Sequence, residues 1–185
     1  MNRKINYLIC SVVCHGECEY NIVLQMQNKN RRNLHPIADK NGKISININT
    51  INKFLSSQYP TEKEYIKKND QTIHISNKKI INHKIFTIMD KDETTDKMLK
   101  AYIDKSLFKG TWWGDDDLIE PIYFVPDMDT IFIKHGYPID PHKSKPRQYY
   151  ELFATRYDEM IEMLSSLSKE ESNIKILIDY IRNNS

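Results

Sequence analysis

The sequence predicts an α/β protein: a mostly parallel sheet between two layers of helices, with further helices at the carboxyl end. Three observations carry this. Apolar runs with a β-branched or aromatic bias recur at Tyr7–Cys14 (YLICSVVC), Lys84–Met89 (KIFTIM) and Pro121–Pro126 (PIYFVP), continuous in the manner of strands buried on both faces. A stretch with helical spacing follows each run, long enough to cross between parallel neighbours. The tail carries two amphipathic stretches and no strand signal. A β-α-β-α-β-α-β order followed by helices is the pattern of a three-layer sandwich, whose ligand sites gather at the carboxyl ends of the strands.

Taken in order, the first strand ends at His15-Gly16, and Glu17 and Glu19 stand where the amino end of a helix favours negative charge. That helix runs from about Cys18 to Asn28 and buries Ile22, Val23 and Met26. A short strand over 34–38 meets the charged turn Asp39-Lys40-Asn41-Gly42-Lys43. Ser45 then caps a second helix bearing Ile48, Ile51, Phe54 and Leu55 and ending at Tyr59-Pro60. Residues 61–83 read as an insertion, a short charged helix and then a weakly alternating hairpin. The strand Lys84–Met89 leads into an acidic turn, and Thr94 or Thr95 caps a helix carrying Met98, Leu99, Tyr102, Ile103 and Leu107. Residues 110–120 form a loop in which Trp112 and Trp113 anchor to the core and Asp115, Asp116 and Asp117 decorate the surface. Asp127 caps a brief helix after the strand 121–126. Two tail helices follow, at 146–167 and 171–183. The expected division is an α/β domain over 1–140 and a C-terminal helical extension over 141–185.

The bulk composition narrows the classes. With 185 residues, 39% hydrophobic and 28% charged, the chain can bury a core, and it has no run long enough to cross a membrane. The start, MNRKINYLICSVVCHGE, has a short apolar run that breaks into His15, Glu17 and Glu19 without a small-residue cleavage site, so it reads as a strand and a cytoplasmic location is expected. Cys10, Cys14 and Cys18 are an odd set without zinc-knuckle or disulfide-framework spacing; reduced thiols are expected. The formal charge of +2 hides an asymmetry: residues 1–89 hold 14 Lys/Arg against 6 Asp/Glu, and residues 90–185 hold 13 against 19. A basic face beside an acidic site suits a metal-dependent enzyme acting on nucleic acid.

The acidic site centres on Asp90-Lys91-Asp92 at the end of the KIFTIM strand. Period-two alternation lets Asp90 and Asp92 project the same way, and two converging carboxylates suit a hard divalent cation, magnesium above all. Alone, the pair also reads as a polar strand-to-helix turn. Its partner is the earlier strand end, Val12-Val13-Cys14-His15-Gly16-Glu17-Cys18-Glu19. Together the two segments resemble a TOPRIM domain, whose pattern is an apolar strand running into Glu-Gly-x-x-Glu and a later strand running into Asp-x-Asp. Gly16, Glu19, Asp90 and Asp92 match; His15 stands where the family has a glutamate.

The resemblance covers roughly residues 5–126. It is nearest to the small phage-defence nucleases of the overcoming-lysogenization-defect and RloB-like groups, and PIYFVPDMDTI is similar to a segment of such proteins in which acids follow the next strand. It implies a Rossmann-like TOPRIM sheet and a magnesium- or manganese-dependent nuclease cleaving DNA or RNA in bacterial phage defence, with an ATPase partner and self-association among its expected partners. Under it, His15, Glu19, Asp90 and Asp92 are the candidate catalytic and metal-binding residues, with Asp129 as a further metal ligand. Histidine in the glutamate position favours manganese more than magnesium if it ligates; Glu17 or Glu19 could replace the missing carboxylate; otherwise the domain binds without cutting, as a regulatory subunit of a defence complex. Lys40, Lys43 and Lys91 are candidates for nucleic-acid contact, and Lys67, Lys68, Lys78 and Lys79 for backbone phosphates, set against the plainer role of solvated surface lysines. A rival pattern, Asp90-x-Asp92-x-Thr94, resembles the nucleophile motif of haloacid-dehalogenase phosphatases, with Gly114-Asp115-Asp116 as the later acidic pair. Too little chain separates the two for that fold.

Overall fold

The computed structural model describes residues 8–30, 34–69, 73, 75–77, 79–91, 94–114 and 118–184. Four parallel strands form the central sheet: β1 (Cys10–Cys14), β2 (Leu34–Ile37), β5 (Lys84–Asp90) and β6 (Ile119–Phe124). They lie in the order β2-β1-β5-β6. The central pair, β1 and β5, is buried on both faces, which is why their sequences read as continuous apolar runs.

Alternation along the strands divides two cores. Cys10, Val12, Cys14, Phe86 and Ile88 face one way and pack against α1 (Glu17–Lys29), α5 (Met128–Lys134), α6 (Lys145–Thr155), α7 (Tyr157–Ser165) and α8 (Lys175–Asn184). Val13, Ile85 and Met89 face the other way, against α2 (Ile51–Gln58), α3 (Glu62–Asn69) and α4 (Asp96–Ile103). The chain is thus a three-layer α/β fold, and the helices of 145–184 complete the layer begun by α1 and α5. Within 61–83 lie α3 and an antiparallel hairpin, β3 (Ile75–Ser76) and β4 (Lys79–Ile80). Tyr65 ties this segment down: its hydroxyl lies 2.8 Å from His83 Nε2, and His83 Nδ1 lies 3.0 Å from the Leu8 carbonyl.

Both edges of the sheet are managed. Pro36 in β2 and Pro121 in β6 lack the amide that an added strand would need. The outer side of β6 is further closed by 171–173. Asn173 Oδ1 accepts from the Tyr123 amide at 3.0 Å, and Asn173 Nδ2 donates to the Pro121 carbonyl at 2.9 Å. Ser172 donates to the Tyr123 carbonyl at 2.6 Å, and the Val125 amide donates to the Glu171 carbonyl at 2.9 Å. Residues 171–173 therefore serve as an edge cover, and the last helix begins at Lys175, later than its spacing suggested.

Three other expectations need correction. The second helix starts at Ile51 with Thr50 at its N-cap, because Asn47 closes a turn ahead of it: its Oδ1 accepts from the amides of Asn49 at 3.1 Å and Thr50 at 3.2 Å, and Ser45 lies outside the helix. α4 stops at Ile103, since Lys105 adopts a left-handed φ of 64° and sends Leu107 into a 3-10 turn, Ser106–Phe108. The expected helix 146–167 breaks at Arg156 (φ −130°, ψ 39°) into α6 and α7. Thr155 Oγ1 takes the Glu151 carbonyl at 2.7 Å beside the break, the kind of back-bonding that bends helices. Arg156 then pairs with Glu159 and lies over the Tyr137 ring.

On the second face, the buried Tyr102 hydroxyl lies 2.6 Å from Thr87 Oγ1 and 2.9 Å from the carbonyls of both Thr87 and Ile122. It joins β5 to β6 from the side of α4. Tyr102→Phe leaves these acceptors buried without it and should cost about 1–3 kcal/mol in urea unfolding with an unchanged m-value. A second prediction concerns pH. Glu171 accepts from Lys134 Nζ at 2.6 Å, from Ser168 N at 3.1 Å and from His135 Nε2 at 3.1 Å. These donors hold its carboxyl down to about 2, with the Lys134 bond the largest cause. Because the folded value lies below the unfolded one, this stabilisation is present above the ordinary glutamate range and is lost as pH falls toward about 2. Thermal melts from pH 6 to pH 2 should show a shallower acid loss for Glu171→Gln than for the wild type.

Candidate functional site

A cavity of about 890 Å³ opens at the carboxyl ends of β1 and β5. Register places it there. Cys14 lies opposite Ile88, and the ladder continues one step further with the His15 amide donating to the Ile88 carbonyl at 3.0 Å. On the other side, the Lys91 amide donates to the carbonyls of Phe124 at 3.0 Å and Pro126 at 3.1 Å. The chain is thereby held rigidly on both sides of Asp90, whose parity is that of Phe86 and Ile88, toward α1 and α5.

His15, Glu19, Asp90 and Asp129, separated by up to 114 residues in the chain, line this one cleft. Asp92 lies outside the described residues, as do Lys78, Asp115, Asp116 and Asp117. Glu19 is buried, 4% exposed, in the first turn of α1, where its Oε2 accepts from the Gly16 amide at 2.9 Å. Burial pushes its carboxyl above the usual range, and His15 and the backbone donors work against that rise. The Nδ1 of His15 is buried without a hydrogen-bond partner among the described residues. Cys18, half-buried between Glu19 and Asp129, has its thiol pushed up to about 12, chiefly by burial, and so is no nucleophile at neutral pH.

Asp129 is already spoken for. Lys145 Nζ donates to its Oδ2 at 2.5 Å and the Tyr149 hydroxyl to its Oδ1 at 2.7 Å, both from α6. Burial together with this hydrogen bond raises the Tyr149 phenol, which stays protonated as a donor. Asp127, beside it, caps α5: its Oδ1 accepts from the Thr130 amide at 2.8 Å, as its position before the helix predicts. Lys145 carries no motif, and only the α5–α6 contact reveals it as the ammonium of this acidic cleft.

Lys40 and Lys43 are exposed on the turn that follows β2. That turn docks on the start of α1 through Gly42. With φ at 85°, a Cβ on Gly42 would fall 2.5 Å from the backbone of Glu17. Lys91 pairs with Asp96 at 2.9 Å across the acidic turn. Lys68 donates to the Gln58 carbonyl and lies over the Tyr59 ring, while Lys67 and Lys79 are exposed. Trp113 is 2% exposed and Trp112 donates to the Tyr59 carbonyl at 2.9 Å, so both belong to the core, as expected.

The donors suit a magnesium or manganese ion in kind. Such ions ask for one or two carboxylates and complete their shell with water and substrate oxygens, and Asp90 and Glu19 line the cleft with an imidazole whose Nδ1 has no hydrogen-bond partner among the described residues. No three His, Cys, Asp or Glu among the described residues converge closely enough to enclose an ion by themselves. Comparison with protein-family models, with curated proteins and with solved structures finds no match. No helix among the described residues is long and apolar enough to cross a membrane.

The Gly42 contact yields a test of how the cleft is held. Gly42→Ala combines a left-handed φ with a backbone clash and should destabilise by about 2–4 kcal/mol. Gly16→Ala should be close to neutral, because its φ of −147° suits any residue and the added Cβ would meet Glu19 Oε2 at an ordinary 3.5 Å. Thermal melts of the two variants side by side check the order.

Proposed function

We propose that the cleft is the active site of a TOPRIM-type, magnesium- or manganese-dependent nuclease that cleaves phosphodiester bonds in DNA or RNA, in the setting of bacterial phage defence. The observation that carries the reading is the meeting of His15, Glu19 and Asp90 at the carboxyl ends of two adjacent parallel strands. It is the arrangement the motif order calls for. A divalent cation at Asp90 and Glu19 would supply charge neutralisation of the phosphodiester and an activated water for in-line attack.

The chain's own residues do the rest. Glu19, whose burial disfavours the lone anion, would gain from a cation held beside it. His15, beside it, has a buried Nδ1 with no hydrogen-bond partner among the described residues and would offer the cation a nitrogen ligand. Lys40 and Lys43, exposed on the turn locked to α1, would contact the backbone phosphates of a nucleic acid reaching the cleft. A partner ATPase and self-association belong to the same proposal.

One observation favours a second reading, that of a binding or regulatory subunit that does not cut. Asp129 is neutralised by Lys145 and Tyr149, and the Glu19 carboxyl is disfavoured as an anion, so the cleft holds less negative charge than its acids suggest. The two readings part in one experiment. Purified protein with end-labelled DNA and RNA in magnesium or manganese should cleave at least one of them, and Asp90→Asn should lower the rate at least a hundredfold, while calorimetry shows cation binding lost in the variant. Equal inertness of both proteins, with cation binding intact, selects the binding subunit; inertness without cation binding removes the metal-dependent readings altogether.

A further inference from the structure

The cleft has a second kind of wall, which the acid and histidine chemistry leaves unused. From α5 and the segment that runs into α6 come Ile133, Ile139, Pro141 and Pro146. Ile133 is 55% exposed, the most exposed of the described large apolar side chains. Its place is fixed, because α5 is capped by Asp127 and tied to α6 through Asp129, and the Pro146 carbonyl accepts from Asn21 Nδ2 of α1 at 3.2 Å. Nothing in the fold requires an isoleucine there: α5 buries Met128, Ile131 and Phe132 instead. An exposed aliphatic patch rigidly set beside carboxylates and an ammonium is the composition of a site for a ligand with a flat apolar part and a charged part.

We infer that this wall is a nucleobase subsite, so that the cleft takes its substrate as a single unpaired nucleotide, at a strand end or turned out of a duplex, with the base against Ile133, Ile139, Pro141 and Pro146 and the phosphate toward Asp90 and Lys145. The inference rests on the phosphodiester reading of the cleft. Size agrees: about 890 Å³ is the volume of a pocket that encloses a small ligand, whereas a duplex would have to lie across its mouth. The aliphatic surface makes no base-specific hydrogen bonds, so any base fits, and discrimination falls between unpaired and paired rather than among sequences. Apolar side chains hold extruded bases in the same manner elsewhere.

The test compares ligands that share a phosphate and differ in the base. Adenosine 5′-monophosphate should bind the purified full chain, with magnesium present, about tenfold or more tightly than inorganic phosphate, and ribose 5-phosphate should bind like phosphate. Ile133→Asp changes an exposed side chain and should fold normally by circular dichroism. It should remove that tenfold advantage, read as the ratio of nucleotide to phosphate affinity so that the added charge acts on both alike, and Ile133→Val should keep most of it. The inference is overturned if the nucleotide binds no more tightly than phosphate, if neither binds, or if Ile133→Asp leaves the ratio intact. The nuclease reading fails separately: a base-dependent advantage in a protein that cuts nothing keeps the subsite and removes the nuclease, while equal cleavage of blunt duplex and single strand without that advantage does the reverse.

Discussion

Cys14 lies opposite Ile88 and the His15 amide reaches the Ile88 carbonyl, so two chains leave the sheet side by side and in step. Everything at the cleft depends on that register. A slip of one residue would move Asp90 to the parity of Met89, into the core beneath α4, and would expose Phe86 and Ile88 to the wrong layer. The apolar alternation that divides the two cores therefore aims the acid as well. A buried core has few ways to pack, so the aim is rigid.

The second constraint comes from the layer that α1 shares with α5, α6, α7 and α8. It places Glu19 inside a largely apolar surround, and burial then governs the chemistry: it raises the carboxyl of Glu19, the thiol of Cys18 and the phenol of Tyr149. The same layer supplies a compensating cation. Lys145 and Tyr149, both on α6, close on the two oxygens of Asp129, so that α5 and α6 are joined at the rim of the cleft by a charged hydrogen bond and a neutral one. Helices of the tail are thus part of the site, although they lie beyond the segment in which the motifs occur.

Gly42 shows how a surface turn can matter to a site. The run Asp39–Lys43 reads in the sequence as a charged turn and nothing more. In the fold its glycine is pressed on the backbone of Gly16 and Glu17 and lines the cleft, which braces the first turn of α1. Gly16, the glycine the motif singles out, has a backbone conformation open to any residue. The stricter demand for glycine falls on the turn that packs against it.

Much was legible in the sequence because it depends on local pattern. Strands buried on both faces leave continuous apolar runs, so β1, β5 and β6 stand out, and Thr95 and Asp127 cap their helices as their positions announce. His15 and Asp90 could be named in advance because each sits where a strand ends, and Glu19 because it opens the helix that follows. What the sequence could not carry were effects of distant neighbours. The turn closed by Asn47, the break at Arg156 and the edge cover by 171–173 each turn on a hydrogen bond that competes with a helix of adequate propensity. Lys145 and Ile133 look like an ordinary surface lysine and an ordinary helix residue. The sequence determined the order of the elements and which acids and histidine stand near the strand ends; only the packing of α5 and α6 against α1 decided that an ammonium and an aliphatic wall share their cleft, because that depends on contacts between elements far apart in the chain, which no local pattern records.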